Sequence, residues 1–242
     1  MKILKYDTHA HIDLYKNMKD CINYIESSRS YTIVMTNVPD LYKRYIREHA
    51  KYKYVRFALG LHPELVHQYK SQISIFHEFV KTSRYIGEVG LDFTKGVDQE
   101  QIEVFEEIMR ACEQHNGKII SVHSRRAADE VMDIIGESKD NGIILHWFSG
   151  TMKQLDRAIN LGYYFSINTN ILNSKKGREV VKRIPTDKLL IESDAPFTNV
   201  TKHSYDLDFI DTIFTKTADL LNSPEQEIME IYSENFMRLL KS

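Results

Sequence analysis

Lys118-Ile119-Ile120-Ser121-Val122-His123, a charged amphipathic stretch over Ala127 to Gly136, and then Gly142-Ile143-Ile144-Leu145-His146 set the reading of the whole chain. Short β-rich runs separated by a helix-like segment predict a strand, a crossover helix and a second, parallel strand. Outward from this unit the alternation recurs. Before it come strand-like runs at Ile3 to His11, Tyr31 to Asn37, Tyr54 to Gly60 and Tyr85 to Gly90; after it, Tyr163 to Asn168 and Leu189 to Asp194. Helical spacing falls between them, at Met18 to Ser28, Asp40 to Lys51, Ser71 to Thr82, Asp98 to Gln114, Met152 to Asn160 and Lys175 to Arg183. Two more helices are predicted at Leu207 to Leu221 and Pro224 to Leu240. Eight βα repeats in 242 residues predict an α/β chain of the (β/α)8 TIM-barrel type, usually ~250 residues long. A doubly wound open sheet is the alternative. It normally carries a glycine-rich turn after its first strand, and here that turn reads His11-Ile12-Asp13-Leu14.

Composition is that of an ordinary globular chain: 42% hydrophobic, 27% charged, formal net charge -2. A polyanion would have to be held by local patches, because the overall field is weak. Cys21 and Cys112 stand alone, so neither a disulfide framework nor a thiolate metal site is expected. No apolar run reaches 18 residues and no signal-peptide pattern opens the chain. The expectation is one soluble, cytoplasmic domain over residues 1–242.

The predicted strand ends carry metal-type residues. His9 and His11 are two apart, so an extended strand turns both imidazoles to one face, ~7 Å apart along the chain. Strand 3 runs out at His62, strand 4 carries Glu88, strand 5 ends at His123, strand 6 at His146 and strand 8 at Asp194. Barrel chemistry sits at these ends. Four of these imidazoles (His9, His11, His123 and His146) and the two carboxylates exceed the needs of one ion with open positions and fit two, bridged by a carboxylate and a water. Such a pair clamps the attacking and leaving oxygens of a phosphoester hydrolysis. Asp194 is the candidate general base. No GxSxG elbow or phosphate-cradling Walker loop competes.

Taken in order, several stretches resemble the TatD-type metal-dependent DNases among the amidohydrolase-like barrels. They are Asp7-Thr8-His9-Ala10-His11-Ile12-Asp13, Gly60-Leu61-His62-Pro63, Ile86 to Asp92 (IGEVGLD), Val122-His123-Ser124-Arg125, Leu145 to Gly150 (LHWFSG), Leu190 to Pro196 (LIESDAP) and Glu234-Asn235-Phe236. The resemblance implies that His9, His11 and Asp194 bind one metal, that Glu88 bridges two, and that His123 and His146 bind the second. It also implies that His62 and Arg125 contact phosphate. The implied activity is hydrolysis of DNA phosphodiesters, commonly from the 3′ end, with two divalent ions (Mg2+, Mn2+ or Zn2+) as cofactors and Glu88 and Asp194 as catalytic carboxylates. Leu59 to Glu64 and Thr36 to Pro39 are also similar to QatD, the TatD-like member of a bacterial anti-phage system, which implies further defence subunits as partners. Three positions depart from the family pattern: Glu64 stands where His is usual, Arg126 where Asp or Asn is usual, and Phe197 to Ser204 replaces a basic segment.

The loops after the strands carry Lys95, Arg125, Arg126, Lys175, Lys176, Lys202 and His203, a basic rim suited to a phosphate backbone. Phe93, Trp147, Phe148 and Phe197 lie in the same loops, as candidates for stacking unpaired bases. Two other readings stay open. One is a hydrolase of small esters or amides, disfavoured because strand 4 offers Glu88 and no lysine to carbamylate. The other is a non-catalytic subunit of a defence complex.

Overall fold

The computed structural model describes residues 5–241, so the expected start of the first strand at Ile3 lies outside the described residues. Among the described residues eight strands are formed: β1 (Tyr6–Ala10), β2 (Tyr31–Met35), β3 (Val55–Ala58), β4 (Tyr85–Asp92), β5 (Ile119–Arg125), β6 (Gly142–His146), β7 (Tyr164–Ile167) and β8 (Leu189–Ile191). Helices separate them in the expected alternation. The chain packs as two compact units, one made of the chain up to Val34, Tyr52–Arg56 and Phe165–Lys241, the other of Met35–Lys51 and Phe57–Tyr164.

In the first unit β1 pairs with β2 and β7 with β8, both parallel. Ala10 bridges Ala195, so the chain leaving β8 runs alongside β1. The core is aromatic. Tyr6 stacks on Phe236 at 4.1 Å and 5°, and its hydroxyl donates to the Tyr232 carbonyl at 2.9 Å. That anchors the terminal helix Glu225–Leu239 beneath β1. Asn235 of the same helix donates from Nδ2 to the carbonyls of Thr186 (2.7 Å) and Leu189 (2.9 Å), which fixes where β8 begins.

In the second unit β4 pairs parallel with β5, and β5 with β6. All eight residues of β4 are buried, as expected of a parallel strand covered on both faces. Leu59 bridges Ile86, bringing the chain after β3 against β4. Two glycines make this spacing possible. A Cβ on Gly60 would lie 2.1 Å from the Thr36 carbonyl oxygen, and one on Gly90 would lie 2.1 Å from that of His123.

Two helix starts are capped by side chains. Asp98 Oδ1 accepts from the backbone N–H groups of Glu100 (3.1 Å) and Gln101 (3.2 Å), capping Gln99–Glu113. Thr151 and Gln154 form a capping box on Met152–Asn160. The helix expected over Ser71 to Thr82 is shorter, Ile73–Val80, behind a separate turn of helix at Val66–Tyr69. Among the described residues no helix is long and apolar enough to cross a membrane.

Candidate metal-binding sites

The first set of donors is assembled by backbone pairing. Asp194 N–H donates to the His9 carbonyl (2.9 Å) and His11 N–H to the Ala195 carbonyl (2.7 Å), which registers the chain after β8 on β1. The side chains then converge. His9 Nε2 and His11 Nε2 are 3.1 Å apart, and Asp194 Oδ1 lies 3.6 Å from the first and 3.8 Å from the second. Asp194 is not on the strand, as the sequence suggested, but three residues past it, with φ of 46°. A non-glycine residue there costs on the order of 1 kcal/mol or more, and such residues cluster at functional sites.

A buried carboxylate holds this turn from below. Asp7 Oδ1 accepts from the N–H groups of His9 (3.1 Å) and Ser193 (2.9 Å), and Oδ2 accepts from the Tyr205 hydroxyl (2.9 Å). Burial pushes the Asp7 carboxyl up to about 6, against the hydrogen bonds from Ser193, His9 and Tyr205 that pull it down. Glu192, two residues before Asp194, accepts from Asn168 Nδ2 (2.8 Å) and from the Ser166 hydroxyl. Burial first, and the negative Asp194 second, raise it well above the usual carboxylate range.

The second set is built on β4, β5 and β6. Glu88 Oε1 lies 2.7 Å from His123 Nδ1 and 2.8 Å from His146 Nε2, and these two nitrogens are 3.3 Å apart. His123 sits within β5 rather than at its end, opposite Gly90 in the ladder. Its other nitrogen, Nε2, is 2.8 Å from Asp92 Oδ2. Asp92 is itself fixed: its Oδ1 accepts from Thr94 N–H at 2.9 Å, and its own N–H donates to Gln101 Oε1 at 2.8 Å. Burial would lower the His123 imidazolium, but Asp92 and Glu88 outweigh it and raise it to about 9. Asp92 answers in the opposite sense. Burial would raise it, and the bonds from His123 and Thr94 bring it well below the usual carboxylate range.

His62 lies past the end of β3 and caps a turn of 3-10 helix at Pro63–Leu65. Its Nδ1 accepts from Glu64 N–H at 3.2 Å, which leaves Nε2 as the N–H donor, 3.5 Å from Glu88 Oε1. Arg125 and Arg126 are exposed, as are Lys95, Lys175, Lys176, Lys202 and His203. The four loop aromatics separate: Phe93 and Phe148 are buried, Trp147 is half-buried, and Phe197 is exposed.

Both donor sets suit a divalent cation. With bonds of ~2.0–2.2 Å, neighbouring ligand atoms of a tetrahedral or octahedral ion lie roughly 2.8–3.6 Å apart. The observed spacings, 3.1–3.8 Å in one set and 2.7–3.3 Å in the other, bracket that range. Mixed imidazole and carboxylate donors accept Zn2+, Mn2+ and related ions.

The family model described as TatD related DNase matches residues 6–241. The chain belongs to the TatD family. Among curated relatives, the metal-dependent hydrolase YabD of Bacillus subtilis is 28% identical, with 98% of each chain covered. The 3'-5' ssDNA/RNA exonuclease TatD of Edwardsiella piscicida is 31% identical over 57% of this chain and 56% of that one. Among solved structures, the TatD homologue YJJV of Escherichia coli superimposes with a TM-score of 0.84 at 22% identity, each chain fully covered. The Escherichia coli phosphotriesterase homology protein superimposes at 0.67 and 15%, covering 98% and 99%. These likenesses establish the fold, that of the TIM-barrel hydrolases, and TatD membership makes the chain a metal-dependent hydrolase.

Reading the sequence alone assigned no role to Asp92, Asp7 or Glu192, although all three stand in the quoted motifs. Asp92 was legible: it lies four residues from Glu88 on one strand, hence on the same face. Asp7 and Glu192 were not, because their partners come from residues as far away as Tyr205 and Ser166.

Proposed function

We propose that this TatD-family hydrolase is a divalent-metal-dependent deoxyribonuclease that cleaves phosphodiester bonds from the 3′ end of single strands or frayed ends. The observation that carries the reading is the pair of donor sets, His9–His11–Asp194 and Glu88–His123–His146, each with ligand-like spacing. Each set would hold one divalent ion, with Mg2+, Mn2+ and Zn2+ as the candidates. Bound there, such ions supply Lewis-acid polarisation of the phosphate and a water of lowered pKa.

The protein's own groups supply the rest. Asp194 takes the proton of the attacking water as general base. Glu88 Oε1 stands 2.7 Å from His123 Nδ1 and 2.8 Å from His146 Nε2, so it would complete the donor set with these two imidazoles. Asp92 fixes the His123 tautomer so that Nδ1 presents its lone pair. His62 offers Nε2–H to a phosphate oxygen, and exposed Arg125 adds a charge-assisted contact. The exonuclease name of the Edwardsiella piscicida relative supports the polarity and the single-stranded preference. A single hydrolase domain over the whole chain is part of this reading, as the family match over residues 6–241 supports.

The test is a time course on end-labelled single-stranded DNA with Mn2+ or Mg2+. Stepwise shortening from the 3′ end is expected from wild type, and a rate lower by about 100- to 10,000-fold from Asp194→Asn. Equal inertness of both across metals and substrates overturns the proposal.

A second reading concerns setting. The replaced segment Phe197 to Ser204 and the QatD-like wording at Leu59 to Glu64 support a role beside other subunits of an anti-phage assembly. Co-purification from a host carrying the neighbouring genes tests it. Recovery of the chain alone, with full activity, counts against it.

A further inference from the structure

Phe197 is a large apolar side chain, 57% exposed, in direct contact with a metal-site residue. Its ring stands 5.5 Å from that of His11, at 80°. Its backbone N–H donates to the Asp194 carbonyl at 2.7 Å. One residue of the donor set thus touches its ring and another holds its main chain. The exposure is not slack. Thr198 Oγ1 donates to the Ser193 carbonyl (2.9 Å) and lies 2.7 Å from Thr201 Oγ1. The Tyr15 hydroxyl donates to the Thr201 carbonyl, tying the loop after β1 to the loop after β8. The chain therefore spends several buried hydrogen bonds on holding an aromatic ring in water.

From this we infer that Phe197 is the stacking platform for an unpaired nucleobase next to the scissile phosphate. The inference rests on the nuclease reading and deepens it, because it makes the base, and not only the backbone, a recognised part of the substrate. The occupant follows from position and chemistry. A ring against His11 is a nucleoside's reach from a phosphate held at His9, His11 and Asp194. Every base presents a π-face to such a ring, so stacking there discriminates unpaired from paired nucleotides without reading sequence. Phe93 and Phe148, 6% and 4% exposed, cannot share the role.

The experiment uses the full chain and two readouts. Fluorescence anisotropy measures binding of single-stranded oligonucleotides with a hydrolysis-resistant 3′-terminal phosphorothioate linkage, carrying either a normal or an abasic terminal nucleotide. Kinetics on the matching phosphodiesters give KM and kcat. Wild type, Phe197→Ala and Phe197→Trp are compared. Loss of one stacked base weakens binding by roughly 5- to 150-fold. Wild type is therefore expected to discriminate against the abasic strand by that factor. Phe197→Ala is expected to bind both strands equally weakly, with the loss in KM rather than kcat, and Phe197→Trp to restore discrimination. Undiminished discrimination in Phe197→Ala, or none in wild type, overturns the inference. Base-dependent binding through Phe197 without hydrolysis would remove the nuclease reading and leave this one standing. Hydrolysis indifferent to Phe197 does the reverse.

Discussion

Replacing Asp92 by Asn removes a charge from His123 while keeping the size of its partner, and two opposite consequences follow. Asp92 Oδ2 lies 2.8 Å from His123 Nε2 and fixes the ring so that Nδ1 faces Glu88. Losing such an orienting carboxylate costs about 10- to 100-fold in metal affinity. The same carboxylate helps raise the His123 imidazolium to about 9. A metal must displace that proton. At pH 7 the displacement opposes binding by about 3 kcal/mol, at ~1.4 kcal/mol per pH unit. A raised imidazole pKa makes metal binding strengthen as pH rises, about tenfold per unit, until pH passes 9. Asp92→Asn lowers the imidazolium and relieves part of that competition. The variant is therefore expected to bind Co2+ about 10- to 100-fold more weakly at pH 9 but much closer to wild type at pH 7, with a flatter slope between. Absorbance titration with Co2+ from pH 6 to 9, in a His11→Ala background to silence the other donor set, measures it. Parallel slopes for the two proteins, or equal affinity at pH 9, would refute the reasoning.

Two substitutions test how the fold positions the donors. Gly90→Ala places a methyl group 2.1 Å from the His123 carbonyl oxygen at a φ of 137°; it should cost at least ~3 kcal/mol in urea unfolding and lower metal content in parallel. Unchanged stability contradicts the close approach of β4 to β5. Phe236→Ala removes the ring stacked on Tyr6 and should destabilise by about 3–5 kcal/mol. A loss under ~1 kcal/mol would mean that the terminal helix does not anchor β1.

The sequence made the βα order legible because apolar runs and amphipathic stretches alternate with different periods. Gly142 to His146 and Met152 to Asn160 have the bounds read from it. The end of β8 was misread: the apolar run stops at Ile191, and the turn carrying Asp194 is set by Asp7 and by pairing with β1, which are distant in sequence. The helix expected from Ser71 was broken at its start for a similar reason, since Asp40 N–H takes Gln72 Oε1 at 3.0 Å and draws that residue out of the helix. All six expected metal ligands fall into the two donor sets. Which loop aromatics face water could not be read, because loops have no periodicity to assign an inner and an outer side. The difference between buried Phe93 and exposed Phe197 is purely tertiary.

The most direct test of the central claim is Mn2+-dependent hydrolysis of 5′-labelled single-stranded DNA by wild type and Asp194→Asn, with bound metal quantified for both. Removing a general base costs about 100- to 10,000-fold in rate. Wild type is expected to remove 3′ nucleotides rapidly and stepwise, and the variant to lose that much rate with DNA still bound. Equal rates in the two proteins, or wild-type cleavage unaffected by chelator, would contradict it.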